Sequence, residues 1–122
     1  MKIRIKGNSV RLRLTKTEVE TFCRKGFYTN RTQFPTSIFS YSLRSKKGIS
    51  EMEASFENNE IILSMPIENL ETWASSSIIG YNANLPLPNG EDLYLLVEKD
   101  FVCMDETVED QSDNYPNPKA IN

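Results

Sequence analysis

Charged and apolar residues alternate strictly through Lys2-Ile3-Arg4-Ile5-Lys6 and again through Val10-Arg11-Leu12-Arg13-Leu14. A period of two marks a strand with one buried face. Gly7-Asn8-Ser9 between the two runs is a turn signal, so the chain opens on a β-hairpin with an apolar face and a charged face. From Thr15 to Gly26 the period changes. Val19, Phe22 and Cys23 fall at i, i+3 and i+4 and make one apolar helical stripe. Two capping-box frames fit its start, Thr17 with Glu20 or Thr15 with Glu18, and Gly26 is a natural stop. Strands are predicted near 27–34 and 38–44, with Pro35-Thr36-Ser37 as the turn between them.

Residues 45–52 read as a connector, after which the pattern restarts. Glu53–Glu57, Asn58-Asn59 and Glu60–Met65 predict a second hairpin, and Pro66 stands where a helix would begin. Ile67 to Ala74 reads as a second short helix. Strands follow near 78–85 and 92–99, joined by Pro86-Leu87-Pro88-Asn89-Gly90.

Sliding the chain by 51 residues superimposes the two halves without a gap from residue 2 to about 28. Ile3, Ile5, Val10, Leu12 and Leu14 meet Ala54, Phe56, Ile61, Leu63 and Met65. Val19, Phe22 and Cys23 meet Leu70, Trp73 and Ala74, and Phe27 and Tyr28 meet Ile78 and Ile79. After a three-residue insertion, Phe39, Tyr41 and Leu43 meet Leu93, Leu95 and Val97. The fold class expected is α+β: a duplicated β-β-α-β-β unit with about eight mostly antiparallel strands, two helices and pseudo-two-fold symmetry. Its units are 2–44 and 53–99 of a single globular domain over 1–104, followed by an acidic C-terminal tail over 105–122. One unit alone leaves a sheet face uncovered, and two can bury theirs together. In this frame Cys23, Phe22 and Trp73 are core residues, since each meets an apolar partner.

Composition sharpens this picture through charge. The chain carries 14 Lys+Arg and 17 Asp+Glu, a formal net charge of -3. Residues 1–49 hold twelve basic and two acidic residues, whereas residues 51–122 hold two basic and fifteen acidic. Alternation places Lys2, Arg4, Lys6, Arg11 and Arg13 together on one hairpin face, where like charges repel and need anions nearby. The matching positions of the second half are Glu53, Ser55, Glu57, Ile62 and Ser64.

Chemistry is bounded by what is missing. The chain has no His, which excludes a His-based triad and any Cys/His zinc site. Cys23 and Cys103 make no disulfide framework, and no apolar run approaches the ~20 residues of a membrane helix. The opening lacks a secretory signal, so a cytoplasmic location is expected. No catalytic residue and no cofactor is expected. The weak metal candidates are Asp105, Glu106, Glu109, Asp110 and Asp113, whose spacing is not that of a calcium loop.

The leading expectation is a non-enzymatic binding or interaction module. Its basic face would meet an acidic partner, a phosphorylated ligand or the acidic half of its own chain, in one molecule or in a homodimer with complementary faces. The alternative is a metal-dependent phosphate or polyphosphate hydrolase. In outline the pattern resembles the triphosphate tunnel enzymes, where Arg and Lys grip a polyphosphate and glutamates hold metal. That family's Glu-x-Glu-x-Lys opening is replaced here by Lys2-x-Arg4-x-Lys6. Nucleic-acid binding is a third reading, opposed by a pI of about 5.0 and the acidic second half.

The opening Met1 to Val19, the middle Ala54-Ser55-Phe56-Glu57-Asn58-Asn59, and Val97 to Cys103 with Glu109 to Pro118 carry a family resemblance. On these residues the chain resembles a family of short stand-alone bacterial proteins, a domain of unknown function. The resemblance covers nearly the whole chain. It implies a single-domain cytoplasmic bacterial protein and transfers no site residues.

Overall fold

The computed structural model describes residues 1–101 and 112–116. Among the described residues, eight strands and one α-helix follow one another. β1 (Lys2–Ile5) and β2 (Ser9–Leu14) form the opening hairpin, and α1 (Lys16–Lys25) follows. β3 (Phe27–Gln33) and β4 (Ile38–Lys46) form the next hairpin, then β5 (Glu53–Glu57) and β6 (Glu60–Pro66). A short 3-10 helix (Ile67–Glu71) leads to β7 (Gly80–Pro86) and β8 (Asp92–Lys99).

Thr15 caps α1, and Glu18 completes the capping box: the Thr15 N–H donates to Glu18 Oε1 at 2.9 Å and the Glu18 N–H to Thr15 Oγ1 at 3.4 Å. This is the earlier of the two frames open in the sequence. The helix ends at Gly26, which adopts φ 85 and donates its N–H to the Phe22 carbonyl. The two-residue loop between β5 and β6 has Asn58 and Asn59 both at positive φ, 51 and 60. That is the pairing a tight hairpin with right-twisted strands demands, and Asn tolerates it.

The second α-helix expected over Ile67 to Ala74 is not formed. A single 3-10 stretch stands there, uncapped by any side chain at Pro66. The reason is local competition. Beyond it, the Ser75 hydroxyl donates to the Thr72 carbonyl at 3.4 Å, and the Ile78 N–H donates to Ser76 Oγ at 3.3 Å. Serine-rich backbone finds partners outside a helix.

The strands assort into two four-stranded mixed sheets, ordered β1-β2-β8-β7 and β3-β4-β6-β5. Hairpin pairs are antiparallel, whereas the central pairs β2/β8 and β4/β6 are parallel. Each sheet therefore joins one hairpin from residues 2–46 to one from 53–99. The inward rows share a single core that includes Leu12, Leu14, Leu43, Leu63, Leu95 and Val97, all fully buried. α1 and the 3-10 helix close one end. There Phe22 and Trp73 meet edge to face at 6.2 Å, and Trp73 meets Tyr81 at 5.8 Å. Among the described residues, no helix is long and apolar enough to cross a membrane.

β7 begins on a close approach. A Cβ on Gly80 would stand 2.2 Å from the Val97 carbonyl oxygen. Gly80→Ala should therefore cost about 1–3 kcal/mol by forcing the two strands apart. Thr15→Ala should cost about 1 kcal/mol through the lost cap. Urea unfolding measures both, and a Gly80→Ala protein as stable as the parent would contradict the strand spacing.

Candidate functional site: the basic face of the first sheet

The register of β1 on β2 pairs Lys2 with Arg13 and Arg4 with Arg11, side by side on the solvent face. Their neighbours Ile3, Leu12 and Val10 turn inward to the core. The hairpin tip is anchored by the last sheet strand: Asn8 Nδ2 donates to the Asp92 carbonyl at 2.8 Å, and the Tyr94 N–H to the Asn8 carbonyl at 3.0 Å. Ser9 Oγ donates to the Lys6 carbonyl at 2.7 Å. Lys6, just beyond β1, borders the same groove as Arg4 and Arg11.

What answers their charge was not legible in the sequence. The parallel register sets Glu98 beside Arg13, whose Nε donates to Oε1 at 2.8 Å, and Arg11 approaches the same oxygen at 3.8 Å. Lys2 Nζ lies 3.1 Å from Asp100 Oδ2, an ionic contact without the angle of a hydrogen bond. Among the described residues, Arg4 and Lys6 meet no carboxylate. Two shallow grooves follow the hairpin, of about 310 and 180 Å³, and both are lined by Arg4 and Arg11. Lys6, Ser9 and Tyr94 extend the second.

The corresponding face of the second sheet is different. Glu53 and Glu57 do not face the basic hairpin. Glu53 accepts from Lys46 Nζ at 2.8 Å, and Glu60 lies 3.7 Å from Arg44. Thr29, Ser42 and Glu60 form a hydrogen-bonded chain beside them, with Ser42 Oγ donating to Glu60 Oε2 at 2.6 Å. Glu53 and Glu60 are thus paired locally, whereas Glu57 and Arg31 meet no opposite charge among the described residues.

The cations point outward, and apolar side chains fill the space between the sheets. Among the described residues, no group of three or more Cys, Asp or Glu side chains is gathered for a metal ion. Asp105, Glu106, Glu109 and Asp110 lie outside the described residues. Asp113 accepts from Thr17 Oγ1 at 3.0 Å, and its backbone carbonyl accepts the Lys16 N–H at 3.1 Å. Hydrogen bonding from Thr15 first, then from Thr17, with Lys16 nearby, holds its carboxyl below the usual range although burial opposes this. The described part of the C-terminal stretch therefore docks at the start of α1. Cys23 packs against the core, and burial pushes its thiol up although the Ala74 N–H and Lys99 oppose this. That is the opposite of an activated nucleophile.

A family described as "Family of unknown function (DUF7009)" matches residues 1–119. The chain belongs to this family. No curated protein and no solved structure matches it.

One buried residue escaped the sequence reading. Leu93, Leu95 and Val97 form the inward row of β8, and Lys99 continues it at only 5% exposure. The signal was present, because a charge at the next alternate position breaks an otherwise apolar row. Beside Lys99 stands Tyr115, whose phenol is pushed up to about 12 by burial first and by Glu20 next. Burial likewise raises Tyr28, Tyr41 and Tyr81. A raised folded value means stability is complete below the unfolded tyrosine value of about 10 and is lost as pH climbs toward 12. Absorbance titration should find the Tyr115 phenolate forming near 12, and Tyr115→Phe should delete that step. Its persistence in the variant would count against this assignment.

Proposed function

We propose that the protein is a non-enzymatic anion-binding module, and that the β1–β2 face receives the phosphate or carboxylate groups of a partner. The supporting observation is the pair Arg4 and Lys6. They have no carboxylate among the described residues, yet they flank grooves whose other cations are already oriented by Glu98 and Asp100. An exposed cation without its own counter-ion is open to an external anion, and such charge-assisted contacts are strong.

The two halves of the chain are, in this proposal, copies of one unit. Exchanging the first four strands for the last four turns one sheet order into the other. The seams agree in register as well: Val10 pairs with Leu95 and Leu12 with Val97, as Ile61 does with Tyr41 and Leu63 with Leu43. Phe22 and Trp73, matched positions, touch. The strand register revises one alignment. Tyr28 pairs with Leu43 and Tyr81 with Val97, so Tyr81 rather than Ile79 matches Tyr28. A homodimer through complementary faces is less favoured, because the second sheet's carboxylates Glu53 and Glu60 are already paired.

Triphosphate, polyglutamate and single-stranded DNA serve as probes. Binding of triphosphate or polyglutamate should weaken with salt, and Arg4→Glu with Lys6→Glu should weaken it at least about tenfold with little change in melting temperature. Absence of any bound anion at low salt would sink the proposal. Phosphate release in the presence of Mg²⁺ would favour the hydrolase, and tightest binding to DNA would favour a nucleic-acid role.

A further inference from the structure

Lys99 is the most unusual charge in the described chain. It ends the inward row of β8, and its backbone pairs in register with Leu14. Buried lysines are rare unless a carboxylate pairs with them, because stripping water from an ammonium is costly. Here no carboxylate among the described residues reaches the ammonium. Nζ donates to the Ser76 carbonyl at 2.7 Å and lies 5.1 Å from the centre of the Tyr115 ring. One of its three N–H donors is thus used, and a cation–π contact supplies part of the missing counter-charge.

The ammonium borders a cavity of about 300 Å³. Its walls are mainly apolar: Ala74, Ile79, Phe101, Tyr115 and Pro116 line it, and Ser76 and Ser77 supply small polar edges. Phe101 and Tyr115 are held together by a parallel bridge and by ring contact at 5.8 Å, and the Tyr115 N–H donates to the Asp100 carbonyl at 2.8 Å. The wall is therefore built into the fold.

Comparing the two halves shows how this lining differs from that of the matching corner. In the first half, the Ser45 N–H donates to the Gly26 carbonyl at 2.9 Å, and Ser45 Oγ donates to the same oxygen at 3.1 Å. In the second half, the Lys99 N–H donates to the Ile79 carbonyl at 2.9 Å in the same way. There the α-helix is replaced by a 3-10 helix and a serine-rich stretch, and a long cationic side chain stands in place of a small hydroxyl. The first-half corner is also a groove, of about 440 Å³, but Glu71 lies in its lining beside Arg24 and Lys25, whereas no carboxylate among the described residues lines the Lys99 cavity.

We infer that this cavity binds a small monocarboxylate with a compact apolar body, its carboxylate received by Lys99 Nζ and its body by Ile79, Phe101, Tyr115 and Pro116. One cation matches one negative charge. A phosphate dianion would leave excess charge against apolar walls, and a neutral apolar molecule would leave the ammonium without its anion. Burial lowers the lysine's proton affinity, although Cys23 opposes this. An anion beside Nζ would restore it. The site is separate from the β1–β2 face and does not depend on that reading.

Benzoate, hexanoate and benzamide are the probes, with the full chain observed by ligand saturation-transfer NMR and calorimetry. Benzoate or hexanoate should bind, with benzamide at least about tenfold weaker than benzoate. Lys99→Met keeps the length of the side chain and should abolish the carboxylate preference while leaving the melting temperature unchanged or higher. Ile79→Trp, at a half-exposed wall position, should block both acids with Lys99 intact, and it decides the matter if Lys99→Met does not fold. Arg4→Glu with Lys6→Glu should leave benzoate binding unchanged. The inference is overturned if neither acid binds at millimolar concentration, if benzamide binds as well as benzoate, or if binding survives both pocket variants. Loss of benzoate binding in the Arg4/Lys6 variant alone would also overturn it.

Discussion

The two parallel seams, β2 against β8 and β4 against β6, are the constraint on which the rest depends. Each joins a hairpin from one half of the chain to a hairpin from the other. Neither half could cover its own apolar rows. With the seams formed, Leu12, Val97, Leu43 and Leu63 bring four inward rows together into one fully buried core. The same seams choose the electrostatic neighbours, because a parallel register fixes which outward residue stands beside which.

That choice changes the meaning of the chain's charge. Along the sequence, cations and anions are separated into two halves. In space, Glu98 is delivered to Arg11 and Arg13, while Arg44 and Lys46 are delivered to Glu60 and Glu53. On the second sheet's face Glu53 and Glu60 are paired, while Glu57 and Arg31 meet no opposite charge among the described residues. On the first, Arg4 and Lys6 meet no carboxylate among the described residues, since they lie on the edge hairpin, away from β8. Cations on an edge strand also discourage unwanted strand pairing. Surface ion pairs of this kind contribute ~0–1 kcal/mol each, which makes orientation their main effect.

The two halves of the chain differ at one end of the molecule. α1 has a complete capping box and a left-handed glycine stop, and the 3-10 helix has neither. Beyond it, Ala74, Ser76, Ser77 and Ile79 line a cavity that Phe101, Tyr115 and Pro116 wall. Both ends of this arrangement converge on Lys99, the one inward-facing charge of β8.

Strict alternation made the opening hairpin readable, and the i, i+3, i+4 stripe with Gly26 made α1 readable, because these signals act between residues a few positions apart. The five-cation face followed from the same period of two. The second helix was misread because apolar spacing over Ile67–Ala74 satisfies a helical stripe without the caps that stabilise one, and serine side chains then compete for the backbone. The sequence by itself determined the alternation of the strands and most of their inward row, although Ile5, Phe27 and Phe56 are more than half exposed and Lys99 is buried. Only the tertiary structure decided which charges meet, as with Arg13 and Glu98, 85 positions apart, and whether an inward lysine faces a carboxylate or an open pocket. Those outcomes depend on register across a non-local seam, and no local pattern in the chain encodes it.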